Sequence, residues 1–97
     1  MPSLFHITTR DAWHAAQAGG EYRAPSLAEV GFIHLSTSEQ WRATHARFFA
    51  GARDLMLLEI DPDLVTAPIR FERADGEDFP HLYGALPVAA VVTVHAL

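Results

Sequence analysis

Apolar and polar residues alternate at strand spacing in some stretches of the chain and recur at helical spacing in others. Residues 4–8 alternate around His6 and predict a first strand. Thr9 and Asp11 then offer an N-cap and a first-turn acid for a helix over residues 10–18, with Trp13 and Ala16 on its core face and Gly19-Gly20 stopping it. In Pro25-Ser26-Leu27-Ala28-Glu29 a serine precedes a glutamate by three residues, the capping-box spacing, which predicts a single helical turn. A second strand is expected over residues 31–36. Thr37-Ser38-Glu39-Gln40 repeats the box spacing ahead of a helix over residues 38–50 that ends at Gly51, with Trp41, His45, Phe48 and Phe49 near one face. LMLLEID (55–61) is apolar enough for a central strand, and Pro62 closes it. IRFER (69–73) alternates like a strand, Asp75-Gly76 is turn chemistry, HLYG (81–84) precedes a short turn led by Pro87, and VVTVH (91–95) alternates as a last strand. About five strands and two full helices result, which is an α+β pattern, and the 97 residues make one domain, 1–97.

Composition narrows the chemistry. Hydrophobic residues make up 49% of the chain, ample for one core. No cysteine is present, which excludes disulfides, a thiolate nucleophile and cysteine-ligated metal. Twelve acidic against seven basic residues give a formal charge of −5, and every basic residue is arginine. Duplex DNA or tRNA is a poor partner for such a surface, because affinity for polyanions comes mainly from neutralised phosphates. The absence of lysine also removes a Schiff-base nucleophile and a P-loop lysine. The N-terminus lacks the pattern of a signal peptide and no apolar run reaches membrane-spanning length, so the chain is read as cytoplasmic with no membrane partner. Either a monomer or a weak homodimer through an exposed sheet edge is expected.

Histidines supply the candidate site. In GFIHLST (31–37), side chains two apart share a strand face, so His34 and Ser36 point together with Phe32 while Ile33 and Leu35 point the other way. His6 with Thr8, and His81 with Tyr83, repeat the arrangement. Three histidine-x-hydroxyl pairs predict a polar, hydrogen-bonding cleft. Taken singly, a strand histidine is more often a structural hydrogen-bond donor than a catalyst, and Thr37 fits a helix cap better than a ligand contact. Tyr83 suits a core ring with its hydroxyl at the surface as well as a ring stacked on a ligand.

FHITT near the N-terminus, EYRAPSLAEVGFIHLSTSEQ, LLEIDPDL, IRFE and EDFPHLYGALP together resemble the bacterial family called domain of unknown function 952. The resemblance covers essentially the whole chain, and GFIHLST followed by FPHLYGxLP is its most specific part. It implies a fold similar to the ADP-ribosyltransferase superfamily, nearer to its RNA 2′-phosphotransferase branch than to bacterial toxins. Such a fold is a split, antiparallel-rich sheet with two main helices that holds NAD in the cleft. Carried over to these positions, His6 would fill the first-strand site and His34, Ser36 and Thr37 the second. His81 and Tyr83 would supply the third, with Glu72 as carboxylate, Thr8 as a ligand contact, and Arg23, Arg42 or Arg47 meeting a pyrophosphate.

Departures from the pattern limit the carry-over. Neither Glu72 nor Glu77-Asp78 has the toxin-type Glu/Gln-x-Glu spacing, and an acidic, lysine-free chain is ill suited to tRNA. The reading is therefore a small protein that binds NAD, ADP-ribose or a related nucleotide in a histidine-lined cleft, with transfer or hydrolysis of an ADP-ribosyl or phosphate group as its possible chemistry. A non-catalytic nucleotide-binding module is the alternative. A metal enzyme with histidine ligands stands third, although no metal is expected.

Overall fold

The computed structural model describes residues 2–97. Strands β1 (Leu4–Thr9), β4 (Leu55–Ile60) and β8 (Val91–Ala96) form one antiparallel sheet in the order β1-β4-β8. Strands β3 (Ile33–His34), β5 (Ile69–Ala74) and β6 (Glu77–Leu82) form a second antiparallel sheet in the order β3-β6-β5. β2 (Glu21–Tyr22) and β7 (Leu86–Pro87) make a small pair of their own. Three helices, α1 (Arg10–Gly19), α2 (Pro25–Val30) and α3 (Trp41–Phe48), complete the fold with 3-10 turns at Pro62–Leu64 and Val88–Ala90. The expected small α+β domain with antiparallel sheets is observed, with more and shorter strands than the pattern predicts and with the single helical turn expected at Pro25 present as the six-residue α2.

Local chemistry explains most element ends. Thr9 Oγ1 accepts the Ala12 N–H at 3.1 Å and so caps α1, while Gly20, at φ 82°, closes it. The expected Ser26 box does not form. Ala24 occupies the N-cap of α2, and the Ser26 hydroxyl instead donates to the Phe32 carbonyl at 2.7 Å, tying the helix to the next strand. α3 starts three residues later than predicted. Thr37 to Gln40 make a turn in which Gln40 Oε1 accepts the Thr37 N–H at 3.0 Å, the return half of a capping box. Asp75 and Gly76 both take positive φ, 51° and 85°, as a two-residue β5–β6 hairpin turn requires.

β4 is buried on both faces because it separates two apolar clusters. Leu55 and Leu57 point with Ile7 toward Phe5, Trp41 and Phe49, whereas Met56, Leu58 and Ile60 join the larger core with Leu4, Trp13, Tyr22, Ile33, Leu35, Leu82 and Leu86. The second sheet has one apolar face, where Ile33 and Leu82 are fully buried. Pro80 sits in its middle strand, where a missing N–H would ordinarily break a ladder. Here the strand keeps its acceptor side, since the Pro80 carbonyl takes the Leu35 N–H at 2.9 Å.

Among the described residues one backbone bridge joins the two sheets. Phe5 and Ser36 exchange backbone hydrogen bonds of 2.7 and 2.8 Å, and beyond this bridge β1 and β3 part.

Close approach also fixes Gly84. A Cβ there would lie 2.5 Å from Ala67 Cβ, inside van der Waals contact. Gly84→Ala is expected to destabilise the protein by roughly 1–3 kcal/mol, the usual cost of overpacking, and Ala67→Gly in the same chain to recover most of it. Denaturant unfolding checks this, and equal midpoints for the wild type and Gly84→Ala would refute it.

Candidate functional site

Where the sheets part, a cavity of about 390 Å³ opens between α3, the tip of the β5–β6 hairpin and the seam. His6 and Ile7 of β1 line it together with His34, Leu35 and Ser36. Thr44, Phe48 and Phe49 form the wall on the α3 side, and Ala74, Asp75, Phe79 and His81 form the opposite one. Polar contacts span the two walls. Arg47 Nη2 lies 3.5 Å from Asp75 Oδ1, and Gln40 Nε2 donates to Glu77 Oε1 at 2.9 Å and to the Asp78 carbonyl at 2.8 Å.

His6 stands at the seam and has both ring nitrogens occupied. Nδ1 lies 2.7 Å from the His34 carbonyl, an acceptor only, so Nδ1 carries the proton and donates. Nε2 lies 2.9 Å from the Tyr22 hydroxyl, which is itself 3.0 Å from Thr8 Oγ1. Burial pushes the His6 pKa down to about 4, so the ring is neutral and Nε2 is an acceptor. His6 thus bridges the two sheets just past the Phe5–Ser36 rung, and Thr8 supports it through Tyr22.

His81 is differently placed. It projects from β6 and is only 5% exposed. Nδ1 lies 2.9 Å from Glu72 Oε1, the same oxygen that accepts the Tyr83 hydroxyl at 2.5 Å. These two hydrogen bonds hold the Glu72 carboxyl below the usual carboxylate range, and the carboxylate pushes the Tyr83 hydroxyl up. Donation from Nδ1 to the carboxylate leaves Nε2 as the ring nitrogen turned elsewhere, an acceptor whenever it carries no proton. Phe32 stacks on the imidazole with centroids 4.0 Å apart, and His34 meets it edge-on at 5.6 Å. Desolvation, then the neighbouring His81, lowers the His34 pKa.

Strand alternation accounts for this grouping. In the β3-β6-β5 register His34 and Arg70 both lie opposite His81, and Phe79 lies opposite Glu72, so these side chains share the face away from the core. His6, His34, Ser36 and His81 therefore come together on one cleft, with Glu72 and Tyr83 behind His81 and Thr8 behind His6. Thr37 does not join them. It lines a separate cleft of about 200 Å³ with Ser3, Glu39, Pro62 and Phe71. Arg23 lies on the surface, paired with Glu21 at 3.1 Å. Among the described residues, no three histidine or carboxylate side chains gather as a metal site would require, nor is any helix long and apolar enough to cross a membrane.

Tyr22, Thr44 and Phe79 escape sequence reasoning. Tyr22 belongs to a two-residue strand with no periodicity to read, and Thr44 lies on an exposed helix of mixed composition. Phe48 and Phe49, expected near one face of the helix, both line the cavity, and Phe48 remains 60% exposed.

Comparison with known proteins gives a consistent picture. The family described as "Protein of unknown function (DUF952)" matches residues 7–94. The crystal structure of protein CC0527 from Caulobacter crescentus superposes with a TM-score of 0.87 at 37% identity, over 98% of this chain and 85% of that one. The solution NMR structure of CC0527 gives a TM-score of 0.85 at 34% identity, over 100% of this chain and 85% of that one. Among curated proteins, none matches this chain.

Proposed function

The chain belongs to the DUF952 family, and from that premise we propose that it binds a nucleotide-type ligand, such as NAD or ADP-ribose, in the histidine-lined cleft. The observation that carries this reading is the convergence of His34, Ser36 and His81 with the rings of Phe48, Phe49 and Phe79 on one cavity. Neutral imidazoles and a hydroxyl fit the donors and acceptors of a ribose, and aromatic walls fit a flat base or nicotinamide. At about 390 Å³ the cavity stands near the lower end of ligand pockets, about 300–1,000 Å³, so it suits a nucleoside half with the phosphates at the mouth. Arg47 stands there, exposed and 3.5 Å from Asp75, with donors left over for a phosphate. The parting of two small sheets around the cavity supports an ADP-ribosyltransferase-like reading of the fold.

The carboxylates favour binding over ADP-ribosyl transfer. A carboxylate that stabilises an oxocarbenium must stand beside it, whereas Glu72 lies behind His81 off the cavity lining and Asp75 faces Arg47. Two-dimensional NMR of the protein titrated with NAD, ADP-ribose and nicotinamide tests the reading, with free nicotinamide followed in the same tube. Signals of His34, His81 and Phe49 are expected to shift with ligand, and those of Thr37 and Arg23 to stay. An unchanged spectrum at millimolar ligand would remove the nucleotide reading.

A further inference from the structure

The Glu72–His81 pair has the arrangement of a general base held by a carboxylate. Glu72 fixes the Nδ1–H tautomer, Tyr83 fixes Glu72, and Phe32 stacks on the ring at 4.0 Å and sets its plane. A lone structural histidine needs neither a carboxylate pinned by a second donor nor a place in a cavity wall, and His81 has both. Ser36 Oγ, on the same cavity, donates to Thr44 Oγ1 over 3.5 Å, a contact long enough for a better acceptor in the cavity to displace.

The cavity lining selects the bond that this base can attack. No arginine or lysine lines the interior of the cavity, Arg47 standing at its mouth and Arg70 lying over the Tyr83 ring, so charge developing on a phosphoryl group inside would go unneutralised. Glu72 stands behind His81 and off the cavity lining, and Asp75 is paired with Arg47, so a glycosyl cation would have no unpaired carboxylate beside it. A carboxylic ester starts neutral and needs a base for water and hydroxyl donors for one oxyanion. We propose that the protein hydrolyses an ester carried on a sugar hydroxyl, with His81 as general base and Ser36 and Thr44 as oxyanion donors. The sugar, though not the ester chemistry, rests on the nucleotide-binding reading above.

The step balances within the cavity. Water oxygen bonds to the acyl carbon and gives its proton to His81 Nε2, while the carbonyl electron pair moves onto oxygen. Collapse of this intermediate breaks the bond to the sugar oxygen, which takes the proton back from Nε2. A carboxylic acid and a free sugar hydroxyl leave, and His81 is neutral again.

The test uses the full chain with 3′-O-acetyladenosine, p-nitrophenyl acetate and plain adenosine, following acetate and amide shifts by NMR. Acetate release is expected to fall by about 10²–10⁴-fold in His81→Asn, the usual contribution of a general base. Glu72 is a positioning residue. Glu72→Gln is expected to slow release, because an amide no longer holds the Nδ1–H tautomer as the carboxylate does, and Glu72→Asp to restore part of the rate. Because Glu72 is half-exposed, this pair stays informative even if His81→Asn fails to fold. Background release by the wild type, or undiminished release by folded His81→Asn, overturns the proposal. Adenosine shifts without acetate release likewise overturn it and leave the binding reading standing. Acetate release that requires His81, with no adenosine shift, supports the ester chemistry and removes the nucleotide reading.

Discussion

Lowering the pH from neutrality to 4 costs the folded protein about 3 kcal/mol through His6 alone. The unfolded chain takes up a proton on this ring near 6.5, the folded chain only near about 4, because the buried imidazole is neutral between two fixed partners. Between those values the unfolded state binds more protons, so stability rises with pH across that interval and is flat above it. At about 1.4 kcal/mol per pH unit, and with the folded ring itself half protonated at pH 4, the loss comes to about 3 kcal/mol. His34, lowered by desolvation and by His81, adds in the same direction. Urea unfolding of the wild type and of His6→Asn at pH 7.5, 5.5 and 4 checks this. Wild-type stability should drop more steeply than that of the variant, and parallel pH curves would show that His6 carries no such load.

The second large effect belongs to Leu82→Ala. Leu82 is fully buried, lies opposite both Ile33 and Ile69, and sits between His81 and Tyr83 in the chain at the end of β6. Truncation removes its transfer free energy and leaves a cavity under the middle strand of the second sheet, a loss of about 2–5 kcal/mol. That is a large share of the roughly 5–15 kcal/mol that holds a domain folded. The denaturant midpoint should fall with little change in slope, and the His81 and Tyr83 signals should broaden, since both side chains hang from the same backbone. A loss below about 1 kcal/mol would mean that the strand is held by its hydrogen bonds and not by this packing.

Strand alternation alone makes one side of the site legible. The separation of His34 and Ser36 from Ile33 and Leu35 is the direct reading of GFIHLST, because a period of two leaves no other arrangement. The Asp75-Gly76 turn is equally plain, since few other dipeptides accept two positive φ angles. Pro80 obscures the extent of β6, for a proline argues against a middle strand unless only its carbonyl is needed. Box spacing misleads at Ser26, which lies inside the helix and donates its hydroxyl to the Phe32 carbonyl where a cap would accept a backbone N–H. Tyr22 and Thr44 are illegible for another reason. Their importance comes from where distant segments meet, and no local pattern records a contact between β1, β2 and α3.

The order β1-β4-β8 has a mechanical consequence. β1 and β8 both run antiparallel to β4, so they are parallel to each other, with Leu4 beside Ile60 and Ala96 beside Met56, at opposite ends of the same strand. A pull applied at Leu4 and Ala96 along the strands loads both ladders in shear, and many rungs must yield together. The β5–β6 hairpin, drawn apart from its open end, would instead peel one rung at a time. Tension carried through this domain therefore meets its stiffest direction in the sheet that anchors His6, while the hairpin wall of the cleft stands outside the line of force.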